Sequence, residues 1–350
     1  MFVPLLPPET PAAATAGDPG TKAVTDWHAS MRNALRSTYD LLRFVGLEHD
    51  IAQEVDHGFP VFVPLEYARR MRRGDADDPL LRQVLPVAAE GETVPGFISD
   101  PVGDHDAMVT SGLIQKYDGR ALMITTGACG VHCRYCFRRS FPYSESAGLS
   151  DQFDHALEAI EQNKGLDEVL LSGGDPLTLN DVILDRLLDR LESVPHLRRV
   201  RFHTRMPIVI PSRVSAGLVE RLRSSRLTCW FVVHCNHANE LDEETAAGLA
   251  KLIDAGVPVL NQAVLLRGVN DQEEALVALM RRLVDLRVQP YYLHQLDRVS
   301  GAAHFEVSPA RGSQLMQTLH SRLPGYAVPR YVREIAGCES KTPITDSNSL

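Results

Sequence analysis

The stretch GACGVHCRYCFRRSFPYSE, Gly127 to Glu145, carries three of the chain's six cysteines within eight residues. Cys129, Cys133 and Cys136 stand as C-x₃-C-x₂-C directly after Ala121–Thr125, a short apolar run of strand character. Two arginines, Arg138 and Arg139, follow the last thiol. A loop this dense in thiols at a strand end asks first what sheet it belongs to, and then what it holds.

Downstream, short apolar runs alternate with amphipathic stretches. Strands are expected at Glu168–Ser172, Arg199–His203, Cys229–His234, Val257–Asn261 and Val288–Leu293. Between them, Phe153, Leu157 and Ile160 share one helical face, as do Ile183, Leu184, Leu187, Leu188 and Leu191. Six strand–helix units in succession imply a parallel sheet with right-handed crossovers, either an open doubly wound sheet or a full or partial barrel. Asp175, His203, His234, Gln262 and Asp297 fall at expected strand C-termini. In both architectures that edge carries the chemistry.

Upstream, residues 1–25 are rich in proline and small residues and read as a flexible tail. A mainly helical N-terminal region is expected over 26–105. Leu35, Tyr39, Leu42 and Val45 lie at helical spacing between Trp27 and Val55; further helices are expected from Pro64 and at Asp78-Pro79. The barrel or sheet core then occupies 106–330, and a C-terminal segment 331–350.

The 350 residues carry a net charge of −9 and a 44% apolar share, which suits a globular protein with a real core and not a general nucleic-acid binder. The one basic run, Arg69-Arg70-Met71-Arg72-Arg73, is followed at once by Asp75, Asp77 and Asp78. No run reaches the roughly 20 apolar residues of a membrane span, and the N-terminus lacks the pattern of a secretory signal. A reducing cytoplasm is therefore expected, which disfavours disulfides and leaves metal binding or catalysis for the thiols.

A structural zinc site takes four ligands, often as two separated pairs. Here three thiols share one loop, and His132 is awkwardly adjacent to Cys133. Three thiolates on a tight loop suit a cubane iron–sulfur cluster better, with its fourth iron open to a ligand. Cys229, Cys235 and Cys338 have no ligand spacing and read as buried or free thiols.

C-x₃-C-x₂-C with Tyr135 before the last cysteine resembles the radical S-adenosylmethionine (SAM) superfamily, and Ser172-Gly173-Gly174-Asp175-Pro176 resembles its glycine-rich motif after the second strand. The resemblance implies a [4Fe–4S] cluster on Cys129, Cys133 and Cys136, and an α/β fold with a partial (βα)₆ radical SAM barrel. It also implies SAM contacts from Tyr135, Gly173, Gly174, Asp175, His234 and Gln262. The stretches LIQKYDGRALMITTGACGVHCRYCFRRSFPYSE, LSGGDPL, HTRMPIVIPSRV, HCNHANEL, LNQAVLLRGVND, PYYLHQLDRVSGAAHF and PGYAVPRYVREIAGCESKTPI are similar to lysine 2,3-aminomutases over residues 59 to 344. The short forms, which supply β-lysine for modification of elongation factor P, are the most similar.

That resemblance implies an isomerase that uses pyridoxal 5′-phosphate (PLP) together with SAM, and a radical that shifts the amino group of lysine between adjacent carbons. Lys341 matches the lysine that holds PLP; Lys116, Tyr117 and Arg120 match its phosphate region. Arg138 matches the grip on the substrate carboxylate, with Arg139 as its support or as packing. Asp297 and Glu334 match the acids that bind the distal ammonium; Glu334 stands where longer relatives have aspartate. Implied partners are lysine, an electron donor such as flavodoxin or ferredoxin, and a downstream ligase with elongation factor P. A homo-oligomer stays open. Rival readings are an aminomutase for another amino acid such as glutamate, a non-catalytic iron–sulfur electron carrier or sensor, and a zinc-structured scaffold.

Overall fold

The computed structural model describes residues 26–47, 58–143 and 153–345. The expected tail, residues 1–25, lies outside the described residues. The N-terminal region is helical in short pieces: α1 (Trp27–Arg32), α2 (Thr38–Val45), α3 (Leu65–Ala68) and α4 (Pro79–Arg82). Asp78 starts α4 by accepting the amides of Leu80 and Leu81 at 2.9 and 3.0 Å, with Pro79 at the first helical position, where no amide is needed. The expected continuous face from Leu35 to Val45 is broken. Leu35 pairs in an isolated bridge with Val63, and Ser37 restarts the helix by capping the Asp40 amide. Tyr39 is therefore turned outward, 50% exposed.

One ten-stranded sheet follows. Its elements in chain order are β1 (Met108–Thr110), β2 (Leu113–Tyr117), β3 (Arg120–Thr126), α5 (Asp154–Gln162), β4 (Glu168–Gly173), α6 (Asp181–Glu192), β5 (Arg199–Thr204), α7 (Met206–Val209) and α8 (Ala216–Arg223). Then come β6 (Thr228–His234), α9 (Glu243–Asp254), β7 (Val259–Val264), α10 (Glu273–Asp285), β8 (Gln289–His294), α11 (Pro309–Arg322), β9 (Arg330–Arg333) and β10 (Thr342–Pro343). The spatial order is the sequence order. Strands β3 to β9 are parallel; β1, β2 and β10 are antiparallel additions at the two ends.

The six expected strands are all present, with β7 shifted downstream of Val257. The strands not foreseen are β1, β2, β9 and β10, which have two to five residues each. They are too short to show a period of their own.

Burial alternates along the strands with period two. On β5, Val200 and Phe202 are buried while Arg201 and His203 are partly open; on β7, Asn261 and Ala263 are buried while Gln262 and Val264 are not. One face packs on the helices, where Phe202 stacks on Phe231 with ring centroids 4.8 Å apart. Side chains capping the helix starts hold that layer in register: Asn180, Ser215, Asp242 and Ser308 each accept an amide from the first turn. The other face lines a cavity of about 1230 Å³ inside the curved sheet. Between β1 and β10 no ladder forms among the described residues, so the barrel is partial. No helix among the described residues is long and apolar enough to cross a membrane.

Candidate active site

The cavity exceeds the roughly 300–1,000 Å³ typical of single-ligand pockets, and so has room for more than one bound molecule. Every site residue expected from the sequence lines it, from Cys129 at one end to Lys341 at the other.

The cysteine loop leaves β3 and is pressed onto the end of β4. The Gly174 and Asp175 amides donate to the Thr126 and Ala128 carbonyls, both at 2.7 Å. A Cβ at Gly174 would lie 2.2 Å from the Ala128 carbonyl oxygen, and Gly173 has φ +109°. These glycines are required by the close approach of two backbones. The two amides are spent on the loop, and the Gly173 carbonyl already accepts the Tyr143 hydroxyl at 2.8 Å. Asp175, expected to contact SAM, has its carboxylate engaged within the protein. It accepts Leu177 N, Thr204 Oγ1, Arg205 N and Met206 N, which fills its lone pairs and clamps β4 to β5.

The three thiols are partly buried and line the cavity. No group of three or more His, Cys, Asp or Glu among the described residues converges on a single ion. His132 is engaged elsewhere, stacked on Phe59 and bonded to the Pro60 carbonyl at 2.9 Å. Three thiols on one loop, forming no single-ion group with other ligands, would suit a multi-iron cluster. Burial pushes the free Cys136 thiol up to about 11, and the neighbouring Cys133 adds to this. Cationic iron must offset that preference when it binds.

Beside the loop lies a buried polar network that sequence reasoning missed. Arg205 Nη1 reaches Cys133 Sγ at 2.7 Å and the Tyr135 hydroxyl at 2.9 Å; Nη2 reaches Gln83, Glu240 and Tyr67. Tyr135 in turn contacts His234 Nε2 at 2.9 Å and receives the Asn236 amide at 2.7 Å. Burial, then the Arg205 charge, lowers His234 to about 3, so its imidazole is neutral. Glu90, also missed, is buried and pairs with both Arg134 and Arg139, tying the N-terminal region to the cysteine loop. Arg139 is thus a support of the loop.

At the opposite end, Lys341 Nζ lies 2.6 Å from Glu334 Oε2, and the Tyr117 hydroxyl donates to Glu334 Oε1 at 2.6 Å. Burial alone raises Glu334, but Lys341, Tyr117 and Lys116 together hold it below the usual carboxylate range. Tyr117 is on β2 and Glu334 follows β9, so these contacts bridge the gap in the barrel. Asp297 also faces the cavity, and its carboxylate has no hydrogen-bond partner among the described residues. Burial raises it to about 7 despite Lys341 nearby.

Between the two ends, Asp104 was not foreseen. It is buried, accepts Arg138 Nε at 2.7 Å and Lys116 Nζ at 2.7 Å, and so joins the carboxylate-binding candidate to the phosphate-binding one. Ser172 Oγ takes Arg138 Nη1 at 3.1 Å. Arg138 is itself buried and lines the cavity. Lys116 is more committed than expected, because the Val102 carbonyl holds it as well at 2.8 Å. Arg120 stacks on the Tyr117 ring at 4.5 Å and has no ion pair among the described residues. Gln262 lines the cavity from β7.

A family model described as the Radical SAM superfamily matches residues 123–280. L-lysine 2,3-aminomutase of Escherichia coli strain K12 is 44% identical over 93% of this chain and 96% of its own length. The chain belongs to the lysine 2,3-aminomutase family. The L-lysine 2,3-aminomutase of Haemophilus influenzae is 39% identical over 93% of this chain and 97% of its own length. Among solved structures, Streptococcus suis SuiB bound to S-adenosylmethionine covers 63% of this chain and 51% of its own, at a TM-score of 0.48 and 14% identity. As a radical SAM aminomutase the chain is an isomerase, and its family implies a [4Fe–4S] cluster, SAM and PLP.

Proposed function

We propose that the protein is a 2,3-aminomutase that converts L-α-lysine to β-lysine. The observation that carries this reading is the sharing of one cavity by three cysteines, a lysine paired to a carboxylate, a buried arginine and a further acid, Asp297. When bound, the cluster and SAM supply a carbon-centred radical and PLP supplies an electron-delocalising aldehyde. Cys129, Cys133 and Cys136 hold the cluster. Tyr135, His234 and Gln262 border the space for SAM, and the Gly173–Gly174 turn shapes its floor.

Lys341 is the tether for PLP. A lysine must shed a proton before its nitrogen can attack an aldehyde. Glu334 Oε2, at 2.6 Å, is the acceptor for that proton. Arg120, Tyr117 and Lys116 face the phosphate. Arg138 grips the substrate carboxylate, while Asp104 and Ser172 hold the guanidinium in place. Asp297, with Glu334 beside Lys341, would take the distal ammonium of lysine. The chemistry requires that water be kept from the reacting carbons. Two acids at the distal end disfavour a glutamate side chain by like-charge repulsion.

Resemblance to the short forms supports a cytoplasmic role in which β-lysine passes to a ligase acting on elongation factor P, with flavodoxin or ferredoxin as electron donor. Anaerobic incubation with lysine, SAM, PLP and dithionite, followed by chiral chromatography, tests the reaction. β-Lysine is the expected product. Turnover of glutamate but not lysine, or cluster absorption with no PLP band, overturns the reading.

A further inference from the structure

We infer that Arg205 is a positioning residue that sets the reduction potential of the cluster through its bond to Cys133, an inference that rests on the cluster assignment above. The guanidinium is buried and has little freedom. Nη1 is shared between Cys133 Sγ at 2.7 Å and Tyr135, and Nη2 among Gln83, Glu240 and Tyr67. The backbone amide of Arg205 is held by Asp175 at 2.7 Å. Both ends of the residue are thus fixed, one by the β4–β5 clamp and one by the network. An orphaned Nε, buried without a partner, shows that the side chain is placed for its Nη contacts.

Among the described residues Cys133 is the one thiol of the three bonded by a charged side chain; Cys136 is reached by the Arg138 backbone amide. A charged N–H···S bond stabilises the more negative, reduced cluster, because hydrogen bonds to ligand sulfurs and nearby charge are what tune such potentials. Burial strengthens the effect by lowering the local dielectric response. Glu240 opposes it in part: its carboxylate is 2.8 Å from Nη2 and cancels much of the net charge. The hydrogen bond, more than the summed charge, is then what reaches the sulfur.

The test uses the full chain with its cluster reconstituted anaerobically, without SAM, and with heavy-nitrogen-labelled arginine. Pulsed EPR of the reduced wild-type cluster is expected to show coupling to an arginine nitrogen. In Arg205→Gln/Glu240→Gln, which leaves net charge unchanged, redox titration is expected to give about a tenfold lower ratio of reduced to oxidised cluster at fixed potential. That equals about 59 mV downward for one electron. Arg205→Lys, which keeps the charge but loses the fork, is expected to fall between the two. A wild-type cluster with no nitrogen coupling overturns the inference whether or not the variants fold. So does an unmoved potential in a variant with full iron and sulfide. A wild-type protein that forms no [4Fe–4S] signal at all overturns the cluster assignment itself, a separate result.

Discussion

Glu334 and Lys341 face each other as the next cross-strand pair beyond the β9–β10 ladder, with Oε2 and Nζ 2.6 Å apart. Thr342 pairs with Arg333 and Pro343 with Val332, so the register that closes this hairpin also brings the amine to its acceptor. Tyr117 reaches the same carboxylate from the other side of the barrel gap. The proposed tether for PLP thereby lies at the seam where the sheet fails to close.

Replacing the acceptor should slow loading. Glu334→Gln keeps the size and removes the charge. PLP attachment to Lys341, followed by the visible absorption of the bound aldehyde, is expected to slow about 100-fold, the usual range for losing an acid–base partner. Tyr117→Phe leaves the carboxylate in place and should slow loading by less than tenfold. Equal rates in wild type and Glu334→Gln would remove the carboxylate from this role.

Asp297 should make lysine binding pH-dependent. Its empty-site value of about 7 means that the carboxylate is protonated below neutrality. A cationic substrate needs the ionised form, so KM for lysine should rise about tenfold per pH unit below 7. Asp297→Asn should raise KM by roughly 10- to 100-fold and lose this dependence. The stability effect has the opposite sense. A carboxyl whose folded value lies above its unfolded one stabilises fully only below the unfolded value, and that stability is lost as pH rises from about 4 to about 7. Asp297→Asn should therefore raise the melting temperature at pH 8 and not at pH 4.

Asp104→Asn should act on substrate binding without touching the substrate. The change leaves Arg138 and Lys116 without their shared carboxylate, and a buried charge that loses its partner is costly. KM for lysine is expected to rise about tenfold, with weaker PLP retention measured by equilibrium dialysis. An effect confined to thermal stability, with both binding constants unmoved, would leave Asp104 a purely structural acid.

Gly174→Ala should dislodge the cysteine loop. The added methyl would sit 2.2 Å from the Ala128 oxygen, and the opposing atoms are backbone, which cannot swing aside. A loss on the order of 2–4 kcal/mol is expected. Iron content after reconstitution should fall with it. Full iron loading at wild-type stability would contradict the close packing.

Much of this protein is local and was legible in residue order. The three thiols share one loop, six apolar runs alternate with helical faces, and Lys341 stands in a motif whose role could be carried over by resemblance. Their place at expected strand C-termini also put His234 and Gln262 at the functional edge. What sequence could not supply were contacts between distant segments: Tyr117 with Glu334, 217 residues apart, Arg205 with Cys133, 72 apart, and Arg138 with Asp104, 34 apart. Asp104 lies in an irregular loop with no period to mark it, and Arg205 reads as one arginine among many. A residue's spacing records which face of its own element it occupies. Its partner across the barrel depends on how far the sheet curves before it stops, and that is settled only when all ten strands are laid side by side.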